Sequence, residues 1–197
     1  MNNSLFASFD QKKPLGYENI FDQNIDLINN NLFPQSIIIT GQKGSGNVGF
    51  CYHIAANLLK TNIEALKKHP DLLLVDNSDS EKKSEINIEQ TRKIHLFLSM
   101  TASLDGNKLV IINKIEDLNI NASNNILKIL EEPRKNIYFL LLCETPSNVI
   151  DTILSRCTRI NLPRLNKDSF FRYLENEEIP QNTKEDLYSI FPNQPLL

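Results

Sequence analysis

One stretch limits the folds open to this chain more than any other. Ser36-Ile37-Ile38-Ile39-Thr40 runs directly into Gly41-Gln42-Lys43-Gly44-Ser45-Gly46, and an apolar segment from about Gly49 to Lys60 follows. A short β-branched run with no polar face reads as a strand buried on both sides. The glycines turn the chain sharply, and the segment after them is long enough for a helix. Units of this kind belong in a parallel sheet sandwiched between helices. Three more apolar runs repeat the theme, Leu72 to Val75, Leu109 to Ile112 and Tyr138 to Leu142, and Arg159-Ile160-Asn161-Leu162 reads as a fifth strand. Ahead of the first strand, Ile25 to Asn31 reads as a helix. Ile88, Thr91, Ile94, Phe97 and Leu98 share one helical face. Ile126, Leu127 and Leu130 suit the buried side of a helix that stops at Pro133. The expected class is α/β, a five-stranded parallel sheet flanked by helices. Asn77 to Glu85 is charged and aperiodic and reads as an exposed loop. Asn166 to Glu175 and Thr183 to Ile190 read as two short helices, set apart by Pro163 and Pro180.

Composition narrows the functional classes. The 197 residues suffice for one α/β domain with some tens left over. A net charge of −3 gives weak overall attraction to nucleic acid, so any such contact needs a local basic surface. Cys51, Cys143 and Cys157 are far apart and form no CxxC pair, so neither zinc nor a disulfide framework is expected. His53, His69 and His95 have no metal or nucleophile partner at a useful spacing, and structural roles are expected for them. No run approaches the ~20 apolar residues of a membrane helix. The start, Met1-Asn2-Asn3-Ser4, has neither the basic nor the apolar region of a signal peptide. The expected compartment is the cytoplasm, with no membrane partner.

The glycine loop invites a phosphate, because backbone N–H groups in such a loop cradle phosphate oxygens. A working loop also needs a lysine for the charge and a Ser or Thr hydroxyl for Mg²⁺. Here Gly41, Gly44 and Gly46 are in place, but Asn47 and Val48 occupy those two positions. Lys43 lies in a different register. The glycines then only shape a tight turn, and no bound cofactor or metal is expected. The second acidic element is missing in the same way. After the Leu109 to Ile112 strand, where a hydrolysing enzyme places carboxylates, stand Asn113 and Lys114. Glu116 and Asp117 follow two or three residues later and are expected in a solvated turn. Ile153-Leu154-Ser155-Arg156-Cys157 carries the opposite signal: an arginine beside a small polar residue at a helix end, placed to be offered to a neighbouring subunit. Glu131-Glu132-Pro133 reads as a helix stop with solvated charge, and Cys157 as a small buried residue.

In their order, these motifs resemble the clamp-loader branch of the AAA+ proteins, and within it the delta-prime subunits of bacterial DNA polymerase III. The resemblance is carried by Leu15-Gly16-Tyr17-Glu18, the loop at Gly41, His69-Pro70-Asp71, and Ile86-Asn87-Ile88-Glu89-Gln90. It is carried most specifically by Asn124 to Pro133, similar to the family's NALLKxLEEP helix, and by Thr152 to Cys157, matching TILSRC. It covers roughly residues 15 to 165. It implies a P-loop NTPase-like domain over 1–163, with the start of a small helical lid over 164–197 and no collar domain in this chain. It implies a DNA replication role without hydrolysis by the chain itself. Arg156 would be an arginine finger completing the ATP site of an adjacent subunit, with Ser155 supporting the turn. Implied partners are ATPase subunits, a clamp-opening subunit, the sliding clamp and, through the complex, primed DNA. The chain would count as part of a DNA-directed DNA polymerase holoenzyme without catalysis of its own. The four-cysteine zinc module of many relatives is absent after the glycine loop. The polar sensor expected near Cys143 and Glu144 is a poor match. Two other readings stay open: an active clamp-loader-type ATPase using Lys43 in an atypical loop, and a stand-alone P-loop enzyme such as a small-molecule kinase. Nucleotide binding by the isolated chain separates the first reading from these two.

Overall fold

A computed structural model describes residues 14–77, 85–102, 106–174 and 180–192. Five strands form one sheet: β1 (Ser36–Thr40), β2 (Leu72–Val75), β3 (Lys108–Ile112), β4 (Ile137–Cys143) and β5 (Thr158–Asn161). The spatial order is β2-β3-β4-β1-β5, and every neighbouring pair is parallel. The parallel arrangement follows from the helical connections, which bring each chain segment back to the same edge before the next strand begins. The central strands are buried along almost their whole length, as continuous apolar runs require when helices cover both faces.

The helices are α1 (Glu18–Asn29), α2 (Asn47–Leu58), α3 (Ile63–Leu66), α4 (Ile88–Ser99), α5 (Ile120–Glu131), α6 (Asp151–Leu154), α7 (Lys167–Leu174) and α8 (Gln181–Ile190). Two cores result. One gathers Tyr17, Phe21, Phe50, Ile54, Leu66 and the Ile37 face of the sheet. The other gathers Ile94, Ile126, Leu130, Ile153 and the Ile38 face. Alternate residues of β1 thus enter opposite cores, the period of two that a strand imposes.

Local chemistry sets several helix ends. Asn87 and Gln90 form a reciprocal cap at the start of α4. The Asn119 side chain accepts from the Ala122 N–H at the start of α5. Pro133 ends α5, since its ring cannot follow a helical residue. Helix α1 begins at Glu18, well before the Ile25 that the sequence pattern marks. Its first turn is held by tertiary packing, with Phe21 edge-on to the Phe50 ring at 6.1 Å. Helix α2 is apolar nearly all round because it is enclosed nearly all round. The polar stretch expected to be a loop from Asn77 to Glu85 lies largely outside the described residues. No described helix is long and apolar enough to cross a membrane.

All strands point the same way, so the segments after β1, β3 and β4 emerge at one edge. The segments before β4 and β5 lie at the opposite edge.

Candidate functional site

At the C-terminal edge, the glycine loop leads from β1 into α2. Gly46 has φ 93°, a left-handed conformation open to glycine at little cost, and α2 starts directly after it. Gly41 is closely surrounded: an added Cβ would lie 3.0 Å from Asn47 Cβ and 3.3 Å from Ser45 Oγ, so a side chain there would push its neighbours by a few tenths of an ångström. The Gly41 N–H donates to the Cys143 carbonyl at 3.1 Å, tying the loop to the end of β4. Asn47 is only 4% exposed. Its amide oxygen accepts the Val48 N–H at 2.9 Å, and its amide nitrogen leans towards the Gly41 carbonyl at 3.4 Å. The side chain at this position is folded into its own loop. Lys43 is exposed.

Two residues outside the motif complete the loop's surroundings. Tyr17, 1% exposed, donates its hydroxyl to the Ser45 carbonyl at 3.0 Å and the Pro163 carbonyl at 3.1 Å. It links the segment before α1, the glycine loop and the segment after β5. Burial pushes the Tyr17 pKa up, against a smaller lowering by the bond to Ser45, so the hydroxyl keeps its proton. Arg164 lies at the loop's rim, its Nε 3.2 Å and a terminal nitrogen 3.0 Å from the Gln42 side-chain oxygen when that amide faces it. The pattern Leu15-Gly16-Tyr17 was the available signal for Tyr17. Nothing in the sequence signalled Arg164.

After β3, Asn113 donates its N–H to the Val75 carbonyl at 2.9 Å, and Lys114 takes a left-handed φ of 59°. The Lys114 ammonium lies 3.5 Å from a Glu144 carboxylate oxygen. Glu116 departs from its expected solvated turn. Its Oε1 accepts the N–H groups of Glu144 at 2.8 Å and Thr145 at 3.0 Å, and its Oε2 is buried without a hydrogen-bond partner among the described residues. A carboxylate is suited to collect two converging N–H donors, so Glu116 fixes the turn after β4. Asp117 accepts from Asn77 Nδ2 at 2.7 Å, and burial raises its pKa above the usual carboxylate value. Cys143, buried beside Glu116, has its thiol pKa pushed up to about 12, by burial first and by that carboxylate second.

The histidines are engaged locally. His53 packs edge-on to Phe21 at 5.9 Å, and His69 Nδ1 accepts the Asp71 N–H at 3.2 Å. His95 Nε2 lies 2.9 Å from Asn125 Oδ1. Among the described residues no group of His, Cys, Asp and Glu is placed to hold a metal ion.

Arg156 is at the other edge. It follows α6, whose last turn is closed by Ser155, with Oγ donating to the Thr152 carbonyl at 3.2 Å. Arg156 precedes Thr158, which sits level with Ile37 at the start of β1, while the glycine loop follows Thr40 at its end. Four residues of strand span about 13 Å, further than an arginine side chain extends. Arg156 Nη1 donates to the Thr152 carbonyl at 2.8 Å, and Nη2 lies 2.6 Å from Glu131 Oε1. The side chains of Arg156 and Glu131 are 33% and 50% exposed. Glu131 ends α5 and is half exposed, as its sequence context implied, and it is also paired with Arg156. Cys157, expected to be buried, is half-buried, because it lies at the rim where α6 meets β5.

A five-stranded parallel sheet with a glycine loop between its interior strand β1 and a buried helix defines an AAA+-type P-loop domain. The RuvB Holliday junction branch migration motor of Thermotoga maritima shares this fold, with a TM-score of 0.59 at 15% identity over 85% of this chain and 53% of that one. A Thermotoga maritima protein described as related to the DNA polymerase III gamma subunit superposes with a TM-score of 0.66 at 26% identity, covering 89% of this chain and 54% of the other. The family model described as "DNA polymerase III, delta subunit" matches residues 17–166, and the chain belongs to that family. The delta-prime subunit of DNA polymerase III from Haemophilus influenzae is 31% identical over 168 residues, 85% of this chain and 45% of that protein. The chain spans about half the length of the curated relatives it matches.

Proposed function

We propose that this chain acts as a delta-prime-like clamp-loader subunit that hydrolyses no ATP itself and completes a neighbour's ATP site with Arg156. The observation that carries this reading is the position of Arg156. It is exposed at the N-terminal edge of the sheet, one strand length away from the chain's own glycine loop. A guanidinium there cannot serve a nucleotide in the same chain, but it can face one held by an adjacent subunit. Its planar fork and permanent charge match phosphate oxygens.

The glycine loop supports the same reading from the opposite direction. Its residues do not fit a nucleotide triphosphate. Asn47 brings no positive charge, and its amide already takes the Val48 N–H. Asn113 brings no carboxylate to hold Mg²⁺ at the end of β3. The three glycines preserve the turn without the charged groups. In this reading 1–163 form the AAA+ unit and 164–197 open the helical lid. The ATPase subunits, the clamp-opening subunit, the clamp and primed DNA are partners of the whole assembly.

The test uses the natural full-length protein assembled with its partner subunits. Arg156→Ala is expected to leave assembly intact while clamp- and DNA-stimulated ATP turnover at the adjacent site falls, and clamp loading with it. In related phosphoryl-transfer systems such an arginine is worth ~10³–10⁵ in rate. Arg156→Lys is expected to recover little, because an ammonium lacks the planar fork. Turnover and loading both unchanged in Arg156→Ala would remove the reading.

A further inference from the structure

We propose that Glu131 is a positioning residue for Arg156: it holds the guanidinium in the orientation from which its remaining donors meet a neighbouring subunit's phosphate. This rests on the reading of Arg156 given above and assigns a role to a second residue. Two contacts grip the guanidinium, the Thr152 carbonyl on Nη1 and Glu131 Oε1 on Nη2. One comes from α6 and the other from the end of α5, so the side chain is fixed between two helices. An arginine has five N–H donors. Each contact uses one, which leaves three for a phosphate without disturbing either.

The same geometry argues against a lock that must open. A lock would use both carboxylate oxygens and exclude water. Here a single oxygen is engaged, and both side chains are substantially exposed. Exposed pairs of this kind hold weakly. Two weak contacts still restrict a long side chain that otherwise samples many rotamers, and pre-orientation is where such contacts act most strongly.

Glu131 also sits where helix stability alone would not place it. It is the last residue of α5, and the negative end of the helix dipole disfavours a carboxylate there. A residue that runs against its local preference is accounted for by what it contacts, and Glu131 contacts Arg156.

The experiment is a double-mutant cycle in the full-length protein assembled with its partner subunits, reading ATP turnover at the adjacent site with clamp and DNA present. The variants are E131A, E131Q, R156A and E131A/R156A. E131A is expected to lower kcat by about 3- to 30-fold with KM for ATP little changed, since misplacing a group by about 1 Å can cost up to 10²-fold. E131Q keeps an acceptor oxygen for Nη2–H and is expected to recover most of the loss. The double variant is expected to turn over no more slowly than R156A, because a positioning residue has nothing left to position. If R156A loses turnover while E131A matches or exceeds wild type, the positioning role is overturned and Arg156 keeps its own. If the double variant falls clearly below R156A, Glu131 acts elsewhere and the inference also fails. If R156A itself is unchanged, the reading of Arg156 fails first. Both positions are exposed, so melting temperatures close to wild type serve as the folding control.

Discussion

Replacing Tyr17 with Phe removes one hydroxyl from beside the glycine loop, where it bonds the Ser45 and Pro163 carbonyls. The ring stays, and with it the edge-on contact to Phe50 at 6.2 Å. What is lost is a single proton shared between the Ser45 and Pro163 carbonyls. A buried acceptor left without its donor costs about 1–3 kcal/mol. Only one proton is shared between the two acceptors, so the lower half of that range, about 1–2 kcal/mol, is expected. For a domain of this size, each kcal/mol lowers Tm by about 2–4 °C, so the variant is expected to melt about 2–8 °C below wild type. Urea unfolding should show an unchanged slope and a lower midpoint. Amide exchange should quicken in two places distant in sequence, around residues 41–46 and 162–165, because the hydroxyl joins both. Tyr17→Ala, which also removes the ring, should cost roughly 3–5 kcal/mol, as other buried aromatic truncations do. A Tyr17→Phe protein within about 0.3 kcal/mol of wild type, well below the usual hydrogen-bond contribution, would refute the linking role. Faster exchange at only one of the two segments would refute the shared bond.

Other outcomes follow from the same geometry. The isolated chain is expected to show no ATP turnover and no saturable binding of a fluorescent ATP analogue; turnover that vanishes on Gly46→Pro would contradict this. Asn47→Lys with Val48→Thr should restore binding with little hydrolysis, because Asn113 still brings no charge. Phe50→Ala, at a fully buried ring touching Tyr17 and Phe21, should cost about 3–5 kcal/mol in a urea titration. The Cys143 and Cys157 thiols are raised, mainly by burial, to about 12 and about 11. Their unfolded values lie near about 8.5, so their contribution is complete below that pH and is lost as pH rises towards the folded values. Urea midpoints should therefore drop from about pH 8.5 upward, and Cys143→Ala should flatten the drop; an equal drop in the variant would exclude the thiol as its source.

The sheet and the places of its loops were legible in the order of residues alone. Ile37-Ile38-Ile39 can only be a strand covered on both faces, and Pro133 can only end the helix before it. The identities of Asn47, Val48 and Asn113 raise the expectation of a glycine loop without its charged groups before any coordinates, because charge and ligand type belong to the residue. The strand order, which sets β1 between β4 and β5, came from tertiary structure, since parallel pairing depends on crossovers that leave no local pattern. The early start of α1 did too, because it rests on Phe21 meeting Phe50, a ring from a different helix. Glu116 looked like a solvated turn residue, and only the approach of the β4 end turned it into a cap for two N–H groups. Arg156 was legible as a singular arginine at a helix end. Its distance from the chain's own loop, and its grip by Glu131, required the fold, because both depend on which edge of a parallel sheet each connection occupies.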